Sequence, residues 1–140
     1  MGRIIWIASY PKSGNTWTRA FLHNLFTGSA TSHDINRMNQ ISANEAGILN
    51  YEPFDPRPWQ EWTTEDVSKM RPRVQAYIAS TQPRHIFCKT HLAVMMAYGT
   101  PTINMDVTAG GIYLVRNPLD VAPSYSDHQG LSMDNAIEAL

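Results

Sequence analysis

The 140-residue chain has one cysteine, Cys88. It can form no internal disulfide, which fits a reducing compartment. It also lacks an excess of charge of either sign. Eleven Lys and Arg against twelve Asp and Glu leave a net charge of −1. No global field is available to hold nucleic acid or an anionic membrane, so an anion must be bound by a local site. Long apolar runs are missing as well. The first one, Ile4 to Ala8, is far short of the roughly 20 residues that span a bilayer, and no cleavage site follows it. Met1-Gly2 lacks the hydroxyl residue that a myristoylation signal needs, because position 6 is Trp6. The expectation is a cytoplasmic protein. Hydrophobic residues make up 43% of the chain, enough for a core in one domain of this length.

Arg3 to Ser9 is β-branched and aromatic and predicts a buried strand. Tyr10-Pro-Lys-Ser-Gly-Asn15 is turn chemistry. Thr16 to Thr27 predicts a helix whose apolar stripe is Trp17, Phe21 and Leu25, stopped by Gly28. A polar stretch follows, then a short helical segment, Ala43 to Leu49. Next comes a loop rich in aromatics and proline, with Tyr51, Phe54, Trp59 and Trp62. Thr64-Glu65-Asp66 opens a helix that Pro72 should break or restart and that ends near Thr81. His85 to Lys89 and Gly111 to Val115 predict two further strands, the second punctuated by Gly110-Gly111. Asn117-Pro118 starts a helix, and Ser132 caps a last one that runs to Leu140.

Strands alternating with helices predict an α/β fold with an open parallel sheet. Ligands bind such sheets beyond the carboxyl ends of the strands. Three polar clusters fall at those ends: Lys12-Ser13-Gly14-Asn15-Thr16, Lys89-Thr90-His91 and Arg116-Asn117. In the first, a helix N-terminus, a glycine, two hydroxyls and a lysine suit a phosphate or sulfate. A turn whose polar residues simply cap the helix is the plainer reading of the same residues. The pattern is not a Walker A loop, because Lys12 precedes the only glycine. That weighs against a small P-loop-like kinase.

Tyr10-Pro-Lys-Ser-Gly-Asn-Thr-Trp17 resembles the 5′-phosphosulfate loop of the cytosolic-type sulfotransferases. Lys89-Thr-His-Leu92 is similar to the family's catalytic-histidine segment, and Arg116 to Tyr125 to its 3′-phosphate segment. The three stand in the family's order. The resemblance implies a P-loop-like nucleotide-binding domain over residues 1–140, its sheet incomplete at the C-terminus. No Arg-, Lys- and Gly-rich segment matches the family's last phosphate-binding motif. It also implies transfer of a sulfuryl group from 3′-phosphoadenosine 5′-phosphosulfate (PAPS) to a hydroxyl or amine of a small-molecule acceptor, a phenolic or aliphatic alcohol among them.

By the same resemblance, Lys12 neutralises the leaving phosphate, and the amides of Gly14, Asn15 and Thr16 hold the 5′-phosphate. Asn15 stands where the family usually has Thr. Ser13 steers Lys12, and Trp17 stacks on adenine or, more plainly, packs in the core. His91 is the general base, where a lone histidine after a strand is otherwise structural. Lys89 assists the transferring group or packs. Arg116 and Ser124 hold the 3′-phosphate, with an ion pair between Arg116 and Asp120 as the alternative, and Pro123 interrupts the helix just before Ser124. Tyr51, Phe54, Trp59 and Trp62 line an acceptor pocket or fold onto the core. The histidines fall at no metal-ligand spacing. A non-catalytic fragment that binds PAPS or its desulfated product is the other functional reading.

Overall fold

The computed structural model describes residues 2–28, 31, 34, 37–38 and 42–140. Most of the polar stretch after Gly28 lies outside the described residues. Among the described residues, six strands and four α-helices follow in chain order: β1 (Ile4–Ser9), α1 (Asn15–Thr27), β2 (Ala43–Asn44), α2 (Thr64–Ser80), β3 (Ile86–Thr90), β4 (Met96–Ala97), β5 (Thr100–Pro101), β6 (Thr108–Leu114), α3 (Pro118–Gln129) and α4 (Met133–Glu138). The main sheet has the order β2-β3-β1-β6, and every pairing in it is parallel. Helices flank this sheet, so the chain is an α/β fold. β4 and β5 form a separate antiparallel hairpin.

β1 lies between its two long neighbours. It pairs with β3 from Ile4↔Ile86 to Ala8↔Thr90 and with β6 from Ile4↔Thr108 to Ser9↔Leu114. β6 starts three residues earlier than its sequence suggests. Gly110 and Gly111 lie within the strand rather than before it, opposite Ile5 and Trp6. Trp6 explains this: its indole N–H donates to Thr108 Oγ1 at 2.9 Å, and a Cβ on Gly111 would lie 3.5 Å from Trp6 Cβ.

On one face, Ile4, Trp6 and Cys88 pack with Met70, Val74, Ile78 and Ala79 of α2, together with Tyr51 and Ile103. Burial pushes the Cys88 thiol up to about 12, with Glu45 adding to the effect. α2 opens with a capping box, Thr63 and Asp66 each bonding the other's backbone N–H. It then runs unbroken through Pro72, where a break was expected. The ring removes one helical bond, but tertiary contacts hold both sides of it. Ser68 Oγ donates to Ala97 O, Asn104 Nδ2 to Pro72 O and Gln75 Nε2 to Thr102 O, and Val74 and Ile78 are buried in the core. α3 likewise continues through Pro123. The segment Ala43 to Leu49, expected to be helical, instead gives β2, a turn and a 3₁₀ turn at Ile48–Asn50, because Ala43 and Asn44 extend the sheet beside Cys88 and Lys89.

α1 covers the opposite face, but not with the stripe its sequence suggests. Trp17, Phe21 and Leu25 are exposed, Trp17 by 77%. The buried positions are Asn15 and Arg19, and Phe26 rests its ring on Phe87 at 5.7 Å. Polar groups won the inward side because they satisfy backbone and hydroxyl partners there. Arg19 donates to Ser42 Oγ and to Met38 O. Tyr113 and Val115 on and just beyond β6, and Leu119, Ile137 and Leu140 after it, are also exposed. Ile4→Ala is expected to cost about 2–5 kcal/mol by opening a core cavity. Val115→Ala should stay within about 0.5 kcal/mol. Urea denaturation of the two variants checks the contrast.

Candidate functional site

Parallel pairing sends the chain out of β1, β3 and β6 at the same edge of the sheet, and the three polar clusters meet there. Lys12, Gly14, Asn15, Thr16, Trp17, Lys89, His91, Arg116 and Ser124 line one cavity of about 640 Å³. Nine of the ten residues singled out in the sequence thus come together. The exception is Ser13, which lines a separate cavity with Tyr10, Val115 and Val121 and whose hydroxyl is buried without a hydrogen-bond partner. Ser13 N–H closes the turn onto Tyr10 O at 3.3 Å. Tyr125, His128 and Gln129 join the lining from α3. Their signal in the sequence was their place on the same helix as Ser124.

The cradle itself is built from two residues in the left-handed region. Lys12 has φ 62° and Gly14 φ 96°. A lysine in that conformation carries strain of roughly 1–3 kcal/mol. Its carbonyl is held by Arg116, whose Nη1 donates to Lys12 O at 3.0 Å. Arg116 therefore braces the loop after β1, and no ion pair joins it to Asp120 among the described residues. Gly14 caps α1 without any side-chain bond, and there is no acidic residue in the first turn. The first amides of the helix have no partner within it. The space beside Gly14 is open: a Cβ there would meet nothing within 4 Å. Free amides, the helix's positive end, Lys12 and Arg116 together offer the donors and positive charge that can hold an anion.

Asn15 points the other way. Its side chain is buried and donates to Ile7 O at 2.8 Å and to Ser9 Oγ at 3.2 Å. Only its backbone N–H is available to the cavity. Ser9 in turn meets His91, whose Nδ1 lies 2.7 Å from Ser9 O and 3.3 Å from Ser9 Oγ. A carbonyl only accepts, so Nδ1 carries the proton and Nε2 presents its lone pair. Ser9 was missed in the sequence because nothing distinguishes a serine at the end of a strand from a structural one.

A second cavity, of about 540 Å³, adjoins the first. Lys89 and His91 line both. Tyr51, Trp59 and Trp62 contribute aromatic walls to it. Phe54 does not; it stacks edge-on against Tyr77 and lies under Arg73. The wall also holds Glu45 and Arg71, which the sequence did not mark. Glu45 is buried, accepts from Arg71 Nε at 2.8 Å and from the Tyr51 hydroxyl at 2.8 Å. Burial, and then Glu45, raises the Tyr51 phenol well above its ordinary value, so Tyr51 stays a hydrogen-bond donor. Burial pulls the Lys89 ammonium down from its usual range, and the neighbouring Arg19 charge adds to this.

Among the described residues, no group of three or more His, Cys, Asp and Glu is placed to hold a metal ion, and no helix is long and apolar enough to cross a membrane. A family model described as "Sulfotransferase domain" matches residues 3–139. No curated protein matches the chain.

Gly14→Ala tests the cradle. The site has room for a methyl group, so the penalty is conformational, about 1–2 kcal/mol for an L-residue forced left-handed. The expected outcome is that loss in urea denaturation, together with weaker binding of inorganic sulfate by calorimetry as the loop relaxes.

Proposed function

Because the chain belongs to the sulfotransferase family, whose chemistry is sulfuryl transfer, we propose that it moves the sulfuryl group of PAPS to a hydroxyl of a small-molecule acceptor. The observation that carries this reading is the pair of adjoining cavities with Lys89 and His91 common to both. One cavity has the anion cradle. The other has aromatic walls suited to a phenol or a lipophilic alcohol. A group passing from one to the other must cross at His91.

The residues present fit such a donor. The unpartnered amides of the first turn of α1 and the open space over Gly14 receive its 5′-phosphate. Arg116 offers its remaining guanidinium N–H groups, and Ser124 its hydroxyl, to the 3′-phosphate from the same cavity. Trp17, exposed at the cavity's rim, gives a flat face for adenine. Bound there, the donor supplies an activated sulfuryl group.

His91 Nε2 takes the proton of the acceptor hydroxyl as its oxygen bonds to sulfur. The bond from sulfur to the bridging phosphate oxygen breaks, and that oxygen keeps the electron pair. Lys12 neutralises the charge that develops on it. The resulting imidazolium keeps its Nδ1 proton on Ser9 O, where the positive charge strengthens the hydrogen bond. Lys89, its ammonium half-buried between the cavities, orients the transferring group. The balanced charge and single cysteine support a cytoplasmic setting.

Arg116→Ala is expected to weaken binding of 3′-phosphoadenosine 5′-phosphate by about 1.5–3 kcal/mol, read by calorimetry. The variant should then distinguish that nucleotide less well from its 3′-dephosphorylated form. Equal affinity of the unaltered protein for the two nucleotides contradicts the assignment. His91→Ala should lower turnover of a phenol by about 10²–10⁴ with donor affinity retained. A rate close to that of the unaltered protein removes His91 from the reaction.

A further inference from the structure

We propose that Ser9 and Asn15 are positioning residues for His91, and that through them the anion-binding loop aligns the base. This rests on the reading of His91 as the base. Both hydrogen bonds described for the His91 ring go to Ser9. The ring is otherwise exposed between the two cavities, so Ser9 sets its orientation. Ser9 is well placed to do this. It is buried, it ends β1, and it pairs with Leu114 of β6. β3 runs parallel on the other side, with Ala8 opposite Thr90, which brings His91 alongside Ser9.

The Ser9 hydroxyl is held by Asn15. Asn15 Nδ2 reaches Ser9 Oγ at 3.2 Å and Ile7 O at 2.8 Å. The Ile7 carbonyl can only accept, which decides which end of the amide is nitrogen. Asn15 is also the first residue of α1, so its backbone N–H belongs to the anion cradle. One residue therefore faces the donor's phosphate with its main chain and steadies the base's anchor with its side chain. An anion that fixes Asn15 fixes Ser9 Oγ, and Ser9 fixes the imidazole with Nε2 directed into the cavities. The charged and titratable groups lining the cavities with His91 are Lys89 on the preceding strand, Glu45, Tyr51 and Arg71 in the aromatic cavity, and Lys12, Arg116, Tyr125 and His128 in the other. All of them remain in the variants below.

The test uses two readouts. The first is nitrogen-15 NMR of the ring in the ligand-free protein, which needs no activity. Neutral His91 should be the Nδ1–H tautomer, and 3′-phosphoadenosine 5′-phosphate should sharpen its signals in the unaltered protein but not in Asn15→Ala. The second is kinetic. Ser9→Ala keeps the carbonyl but removes one acceptor from the imidazolium. It should lower kcat about three- to tenfold, the worth of one hydrogen bond, with little change in KM for the donor. It should also move the acid limb of the kcat/KM profile to lower pH by about 0.3–1 unit, because the protonated ring is less stabilised. Ser9→Thr, which keeps the hydroxyl, should restore both. An Nε2–H tautomer in the unaltered protein overturns the proposal, as does a Ser9→Ala pH profile that superimposes on the original. If Asn15→Ala fails to fold, the tautomer and the Ser9 variants still decide the matter. If His91→Ala retains its rate, the base assignment falls, while the ring spectrum still reports whether Ser9 and Asn15 hold His91.

Discussion

β1 pairs in parallel with β3 on one side and with β6 on the other, and every feature of the site follows from that pairing. Parallel strands leave the sheet at one edge, so loops far apart in sequence emerge side by side. Lys12 and Arg116 are 104 positions apart, yet Arg116 bonds the Lys12 carbonyl. His91 and Ser9 are 82 apart, and the ring lies on the Ser9 backbone. A shift of one residue in the β1–β3 register would turn Ser9 to the other face of the sheet. The anchor of the imidazole would go with it.

The face under α1 shows what this arrangement costs. A helix on a parallel sheet normally buries an apolar stripe. Here it buries Asn15 and Arg19 and leaves Trp17, Phe21 and Leu25 outside. Burying an amide and a guanidinium is unfavourable unless their hydrogen bonds are met. Asn15 Nδ2 meets two acceptors and Arg19 meets Ser42 and Met38, while Asn15 Oδ1 stays buried without a partner among the described residues. Burial pulls the Arg19 guanidinium down from its ordinary value, but an arginine remains charged, and that charge helps to depress Lys89. The polar underside of α1 is thus linked electrostatically to one of the two residues shared by the cavities.

The aromatic cavity carries a polar device of its own. Glu45 is buried between Arg71 and the Tyr51 hydroxyl, and Arg71 is itself nearly enclosed. An unpaired carboxylate there would be costly; with both partners it becomes a fixed strut joining the loop after β2 to α2. Tyr51 in turn lies beside Trp62, their rings 6.3 Å apart. The same contacts thus tie together the aromatic and polar residues that line the cavity with His91.

Much of this was legible in the sequence. Ile4 to Ser9 is β-branched, Gly14 and Gly28 bound a helix, and Asn117-Pro118 starts one, because local sterics and capping act over a few residues. The three ordered clusters picked out residues that line one cavity for the same reason: strand, turn and helix N-terminus are local chemistry. What local chemistry could not decide was direction and partnership. The stripe Trp17, Phe21 and Leu25 has helical spacing, but only the position of β1 and Ser42 decided that α1 turns Asn15 and Arg19 inward. Pro72 reads as a break, and only the contacts of Ser68 and Gln75 with Ala97 and Thr102, and of Asn104 with the Pro72 carbonyl, carry the helix through it. Ser9, Glu45 and Arg71 have no pattern of their own. Their roles exist only where strands from distant parts of the chain lie next to one another, since a hydrogen bond across 82 residues leaves no trace in the spacing of either partner.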